Sequence, residues 1–176
     1  MRKALYAAML IAMGSYMAPA SAVVPGNIGN LTGTSVSIGN SFGPGAVIND
    51  IYTFDIWPVS SVAGTAVTIT LDMPLLPGTE FEITSFGVEF RDSSNTLITS
   101  DFSTGPGDYT VAISANLPAA TGYQFIVLGN ATGTLGGSYG GALAAAAVPE
   151  AETYAMMLAG LGLVGFMARR RSVSAI

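Results

Sequence analysis

Neither cysteine nor histidine occurs in the 176 residues of the chain, and lysine and arginine together number only six. The first absence removes disulfides, thiolate metal sites and cysteine nucleophiles. The second removes imidazole ligands, the Ser-His-Asp triad and the commonest general acid or base, so catalysis would fall to carboxylates. Basic residues are scarcest in the middle. Arg2 and Lys3 open the chain and Arg169, Arg170 and Arg171 nearly close it, which leaves Arg91 alone against Asp50, Asp55, Asp72, Glu80, Glu82, Glu89, Asp92, Asp101 and Asp108. Nine acids against one base give that segment a net charge of minus eight. Such a surface repels nucleic acid and anionic lipid, so no nucleic-acid partner is expected; neutral sugars and cations remain. A helical hydrophobic period is missing too, since no window from Val23 to Gly140 sustains one over three turns, which argues against a βαβ enzyme fold.

Half of the residues are hydrophobic, but the excess sits at the two ends. Residues 1–22 have the three parts of a secretion signal. Arg2 and Lys3 form the charged part, Leu5 to Met17 the apolar part, and Ala20-Ser21-Ala22 a small-residue site for signal peptidase, with Ala20 and Ala22 at its recognition positions. The mature chain is expected to begin at Val23. At the other end, Val148-Pro149-Glu150 leads into the apolar run 154–168, and Arg169, Arg170 and Arg171 follow. That run is predicted to be a transmembrane helix. Its length, about 21 Å at about 1.5 Å per residue, falls short of a roughly 30 Å hydrocarbon core. Tyr154 at one interface and arginines snorkelling at the other are expected to let it anchor, with the arginines cytoplasmic and the acidic domain outside.

Between the ends, strand signals dominate. Apolar residues alternate with polar ones at Val67, Ile69 and Leu71, at Phe81 and Ile83, at Val88 and Phe90, at Tyr109, Val111 and Ile113, and at Tyr123, Phe125 and Val127. Gly, Pro, Asn and Asp close the runs, as at Pro77-Gly78, Gly105-Pro106-Gly107 and Gly129-Asn130. The expected fold is all-β, an antiparallel β-sandwich of jelly-roll or Ig-like type over residues 23–141, flanked by the N-terminal signal helix and the C-terminal transmembrane helix. Residues 142–147, mostly alanine, read as a spacer between the domain and the end segment 148–172.

One segment of the domain suggests a site, Ile48-Asn49-Asp50-Ile51-Tyr52-Thr53-Phe54-Asp55-Ile56-Trp57. On a strand, Ile48, Asp50, Tyr52, Phe54 and Ile56 share a face, and an acid in that row is unusual. Asp50 is either a ligand for calcium or a sugar hydroxyl, or a carboxylate capping backbone N–H groups at a strand edge; no D-x-D-x-D loop supplies the six or more oxygens calcium needs. Tyr52 and Trp57 are either a sugar-stacking platform or packing residues. Asp55 is expected to be solvated. Glu80 and Glu82 fall on one solvent face, so with Glu89 they read as surface charge and not as a glycosidase pair. No metal site and no cofactor are expected, and the Gly136-to-Gly141 stretch lacks the Lys-Ser/Thr of a phosphate loop.

The order of features at the C-terminus resembles the PEP-CTERM sorting tag, in which a Pro-Glu-Pro signature precedes a short apolar helix and an arginine cluster; here Ala151 stands at the third position. The resemblance implies recognition by an exosortase, a membrane cysteine protease that removes the tag, with Pro149, Glu150, Arg169, Arg170 and Arg171 as its recognition residues. The stretch Ile48-Asn49-Asp50-Ile51-Tyr52 resembles the namesake motif of the FxDxF family of PEP-CTERM proteins, as do Gly107-Asp108-Tyr109-Thr110-Val111 and the glycine-rich run before the tag. It implies an exported protein, first membrane-anchored and then at the cell surface or outside, with a structural or adhesive role in a matrix of exopolysaccharide; no enzyme is expected, since no carboxylate pair forms a plausible site. The rival expectation is a carbohydrate- or calcium-binding module.

Overall fold

Apolar side chains recurring every second residue need a second surface to bury against, and in this chain the second surface is another sheet. The computed structural model describes residues 22–72, 79–105, 107–148 and 151–173. Residues 1–21 of the expected signal segment, Ala20 included, and the recognition pair Pro149 and Glu150 lie outside them, while Ala22 is described and exposed. The strands run in the order β1 (Gly26–Asn30), β2 (Ser35–Phe42), β3 (Val47–Ile56), β4 (Ser60–Ile69), β5 (Leu71–Asp72), β6 (Thr79–Phe81), β7 (Ile83–Arg91), β8 (Leu97–Phe102), β9 (Thr110–Leu117), β10 (Ala120–Ala131) and β11 (Gly137–Ala147); a helix, α1 (Ala151–Val173), follows.

One sheet has the order β1-β3-β10-β7-β8 and the other β2-β11-β4-β9, with β5 and β6 forming a small hairpin. Apart from the β5–β6 and β7–β8 hairpins, successive strands cross between the sheets, as in the two Greek keys of a jelly roll. The pairing is antiparallel except at one edge, where β1 runs parallel to β3. Val23, the expected first mature residue, is tied down by its N–H donating to Ser37 O at 2.8 Å.

The core lies between the two sheets. From β3 come Ile48, Tyr52, Phe54 and Ile56, from β7 Phe86, Val88 and Phe90, from β10 Tyr123, Phe125 and Val127, and from the opposite sheet Ile38, Val62, Val111, Leu117, Tyr139 and Leu143. Aromatic rings in contact give it a backbone of its own: Phe54 meets Tyr123 at 5.8 Å and Phe90 meets Phe125 at 5.4 Å between ring centroids, within the range for favourable ring pairs.

Three expectations need correction. On β4 the inward phase is Val62, Gly64, Ala66 and Thr68, while Val67 and Ile69 face solvent. Phe125 is the cause. A Cβ at Gly64 would lie 2.4 Å from its ring, so the large apolar residue at this level comes from the other sheet and β4 must stay small beneath it. Second, residues 142–147 are the second half of β11, all paired with β4 and the first three also with β2, and not a spacer. Alanine suits a strand here because it fills shallow positions in the sheet. Third, the expected membrane span at 154–168 is not found, as no helix among the described residues is long and apolar enough to cross a membrane. α1 is longer than expected, but arginines occupy its end, and its apolar part of about 15 residues reaches only about 22 Å.

Candidate functional site

Asp50 sits on the inner face of β3, only 9% exposed. It reaches across the sandwich. Tyr139 Oη, from β11, donates to Asp50 Oδ2 at 2.5 Å, and Asn40 Nδ2, from β2, donates to the same oxygen at 2.9 Å. Tyr52 and Tyr139 share a hydroxyl–hydroxyl bond of 2.8 Å. Because Tyr139 commits its proton to Asp50, Tyr52 must be the donor in that pair, so the protons run Tyr52 to Tyr139 to Asp50. Neither expected role for Asp50 fits this geometry: it caps no backbone N–H at an edge, and it offers no open face to a ligand. It is an interior acceptor that ties the two sheets. Tyr52 belongs to the same cluster and is fully buried, so it is no stacking platform.

Burial first, and the bond to Asp50 next, push the Tyr139 hydroxyl far above the ordinary tyrosine range; burial also raises Tyr52, opposed by its bond to Tyr139. The unfolded chain loses these protons near pH 10, while the folded state keeps them. The folded state then binds more protons, so stability is complete below about pH 10 and falls as pH rises beyond it. The urea midpoint is expected to hold steady from about pH 7 to 9 and to drop above about pH 10. Tyr139→Phe should fall less steeply, and equal slopes would contradict this assignment.

Trp57 follows β3 and is 73% exposed. It lines a cleft of about 560 Å³ with Asn30, Asp55, Ile56, Ser93, Ala119, Ala120 and Thr121. Asp55 is partly engaged there, its Oδ1 accepting from Gly122 N–H at 2.9 Å. The structure therefore separates the three residues that sequence had grouped: two inside, one out.

A second concavity, about 330 Å³, lies on the outer face of the five-stranded sheet. Asn49 and Ile51 of β3, Gln124, Ile126 and Leu128 of β10, and Glu89 and Arg91 of β7 line it, with Asn95 from the following turn. Glu89, at 8% exposure, is paired with Arg91 by Nη2 to Oε2 and Nε to Oε2 contacts of 2.7 Å each, and Arg91 Nη1 donates to Asn95 O at 3.0 Å. Sequence reading missed this groove because its residues are outward positions on three strands whose register no local pattern reveals. The only available signal was Arg91, the lone central base. Of the remaining acids, Glu82 accepts from Thr132 Oγ1 at 2.9 Å, and Asp108 from Thr104, whose backbone and hydroxyl donors hold its carboxyl below the usual range. No group of three or more acidic, His or Cys residues fit to hold a metal ion occurs among the described residues.

At the C-terminus, Val148 N–H donates to Val59 O at 3.0 Å, the last tie to the sandwich, and α1 begins three residues on. Thr153 to Met167 are exposed all round. Arg169, Arg170 and Arg171 fall on the last turns of the helix.

Residues 147–171 match the PEP-CTERM protein-sorting motif, so the chain carries the signal of an exported, exosortase-processed protein. The matched segment starts at the final residue of β11. No curated protein matches the sequence. Among solved structures, the pre-peptidase C-terminal domain of a collagenase from Bacillus anthracis aligns at 14% identity over 73% of this chain and 97% of that one, with a TM-score of 0.38. PliG of Aeromonas hydrophila, a periplasmic inhibitor of g-type lysozyme, aligns at 12% identity over 68% of this chain and 99% of that one, TM-score 0.32. The module CsCBM6-3 of Clostridium stercorarium, in complex with cellobiose, aligns at 20% identity over 68% and 79%, TM-score 0.27.

Proposed function

We propose that the chain is a non-catalytic building or adhesive protein of the cell surface or extracellular matrix, secreted through residues 1–22 and released or transferred by exosortase acting on the segment around Pro149 and Glu150. The observation that carries this reading is the junction at Ala147 and Val148: the sorting motif overlaps the fold only by the last residue of β11 and its final hydrogen bond, so a cut at Pro149 to Glu152 leaves every strand whole. The acids fit a non-catalytic role, because Asp50, Asp55, Glu82, Glu89, Asp101 and Asp108 each accept hydrogen bonds from neighbouring protein groups. The exposed apolar face of α1, followed by Arg169 to Arg171, is the handle by which the processing enzyme would hold its substrate. We read Ile48, Asp50 and Tyr52 as counterparts of the FxDxF positions, with a structural duty: apolar, acid and aromatic side chains on one inward row, the acid clamping the opposite sheet. A host lacking exosortase should keep the chain cell-associated and full length, whereas an exosortase-containing host should export a shortened form.

A second reading, a carbohydrate-binding module, is favoured by Trp57, whose exposed ring borders a cleft with polar Asn30, Asp55 and Ser93 in the manner of a sugar platform. Loss of glycan retention in Trp57→Ala at unchanged melting temperature would support it, and full retention would remove it.

A further inference from the structure

The outer face of the five-stranded sheet carries polar side chains that have no partner among the described residues. Asn49 and Gln124 make no side-chain hydrogen bond within the described residues, and Glu89 uses only Oε2 toward Arg91. An amide offers two donors and an acceptor. These groups therefore point at a ligand or at water, around a floor formed by Ile51, Ile126 and Leu128. The groove is electrically balanced, since Glu89 and Arg91 neutralise one another, while the surrounding domain carries a net charge of minus eight. Anions are repelled by that field and cations find no unpaired carboxylate in the groove, which leaves an uncharged polar ligand.

The strands under the groove narrow the class further. β3, β10 and β7 are each paired on both sides, so no free backbone edge is offered and a peptide could not dock by adding a strand. Recognition must come from side chains alone: amides and a carboxylate oxygen for hydroxyl groups, aliphatic carbons for C–H faces. A neutral sugar presents both. Along β3 the outward positions run Asn49, Ile51, Thr53 and Asp55; the first two line the groove and Asp55 lines the cleft that Trp57 borders just beyond the strand, so one strand face leads from the groove to the cleft. Eight residues at about 3.3 Å each make that path about 26 Å long, far longer than one sugar ring.

We propose that this face is a binding track for an extended, uncharged polysaccharide, gripped by Asn49, Gln124 and Glu89 in the groove and stacked on Trp57 at the end. The proposal rests on the carbohydrate-binding reading of the Trp57 cleft and extends it to a second, contiguous stretch. The probes are an array of neutral oligosaccharides from disaccharides to hexasaccharides, with alginate as the acidic control, applied to the purified full chain. Hexasaccharides should bind at least about tenfold more tightly than disaccharides, and Asn49→Ala and Gln124→Ala should each weaken binding about tenfold, as expected for a lost hydrogen-bonded contact. Melting temperatures should not move, because neither amide has a partner to lose among the described residues. Should either alanine variant melt early, Gln124→Glu keeps the shape, places a second carboxylate near Glu89 and should abolish binding. Silence across the neutral array, or binding indifferent to Asn49→Ala and Gln124→Ala, would overturn the track. Loss in Trp57→Ala alone would overturn the track and leave the cleft reading standing. Preference for alginate, or a peptide ligand displaced by Gln124→Ala, would overturn the assignment of ligand class.

Discussion

A chain lacking residues 142–147 is expected to have no folded domain. Those six residues are the second half of a strand that lies inside its sheet: Ala142, Leu143 and Ala144 pair with Ser37, Val36 and Ser35 of β2, and Ala142 to Ala147 pair with Thr65 to Ser60 of β4. Leu143 and Ala145 also belong to the core. Losing Leu143 alone costs about 2–5 kcal/mol, and the ladder bonds add about 1 kcal/mol each. A domain of this size has about 5–15 kcal/mol in all. The chain could fill the gap only by drawing in Val148, Pro149 and Glu150, and a proline cannot donate to a central ladder. Circular dichroism and limited proteolysis of the deletion should report an unfolded, rapidly digested chain. A spacer would give the opposite result. As the matching control, a flexible insert of Gly and Ser placed after Val148 should leave the domain's melting unchanged.

Replacing Asp50 by alanine should cost about 3 kcal/mol, because a buried acceptor is removed while two hydroxyls and an amide stay behind to be satisfied. For a domain of about 125 residues that is a fall in melting temperature of roughly 10 °C. Tyr139→Phe should cost less, since it removes one donor and leaves Asp50 its bond from Asn40. The two losses should be markedly less than additive in a double-mutant cycle, as the residues act through one bond. Thermal denaturation with and without calcium separates this account from the ligand alternative. A surface calcium ligand would leave the calcium-free melting temperature nearly unchanged in the alanine variant and lose a calcium-dependent rise; the interior clamp loses stability in both conditions alike.

Large side chains made much of the fold legible. The alternations at Phe54, Val88, Phe90, Val111, Ile113, Phe125 and Val127 all mark inward faces that the structure confirms. β4 and β11 were misread because their inward residues are small. Their inward positions at Gly64, Ala66, Gly141 and Ala145 are small where space is taken, at Gly64 by Phe125 of the opposite sheet and at Gly141 by the backbone of neighbouring β4, so the hydrophobic pattern pointed to Val67 and Ile69 instead. The oddity of Asp50 was visible, but its meaning was not: its donor Tyr139 lies 89 residues away, and the contact exists only once the sheets close. The groove depends on register across β3, β10 and β7, which alternation within any one of them cannot give. The sorting motif, in contrast, is a local string of Pro-Glu, apolar run and arginines, and it could be read directly.

The central claim is that a complete sandwich ends at Val148 and that everything after it is a removable address. Intact-mass measurement of the exported chain from an exosortase-containing host tests this most directly. The expected species begins at Val23 and ends between Pro149 and Glu152, with all of β11 retained. Exported copies that uniformly keep Arg169, Arg170 and Arg171, or that end before Ala147, would contradict it.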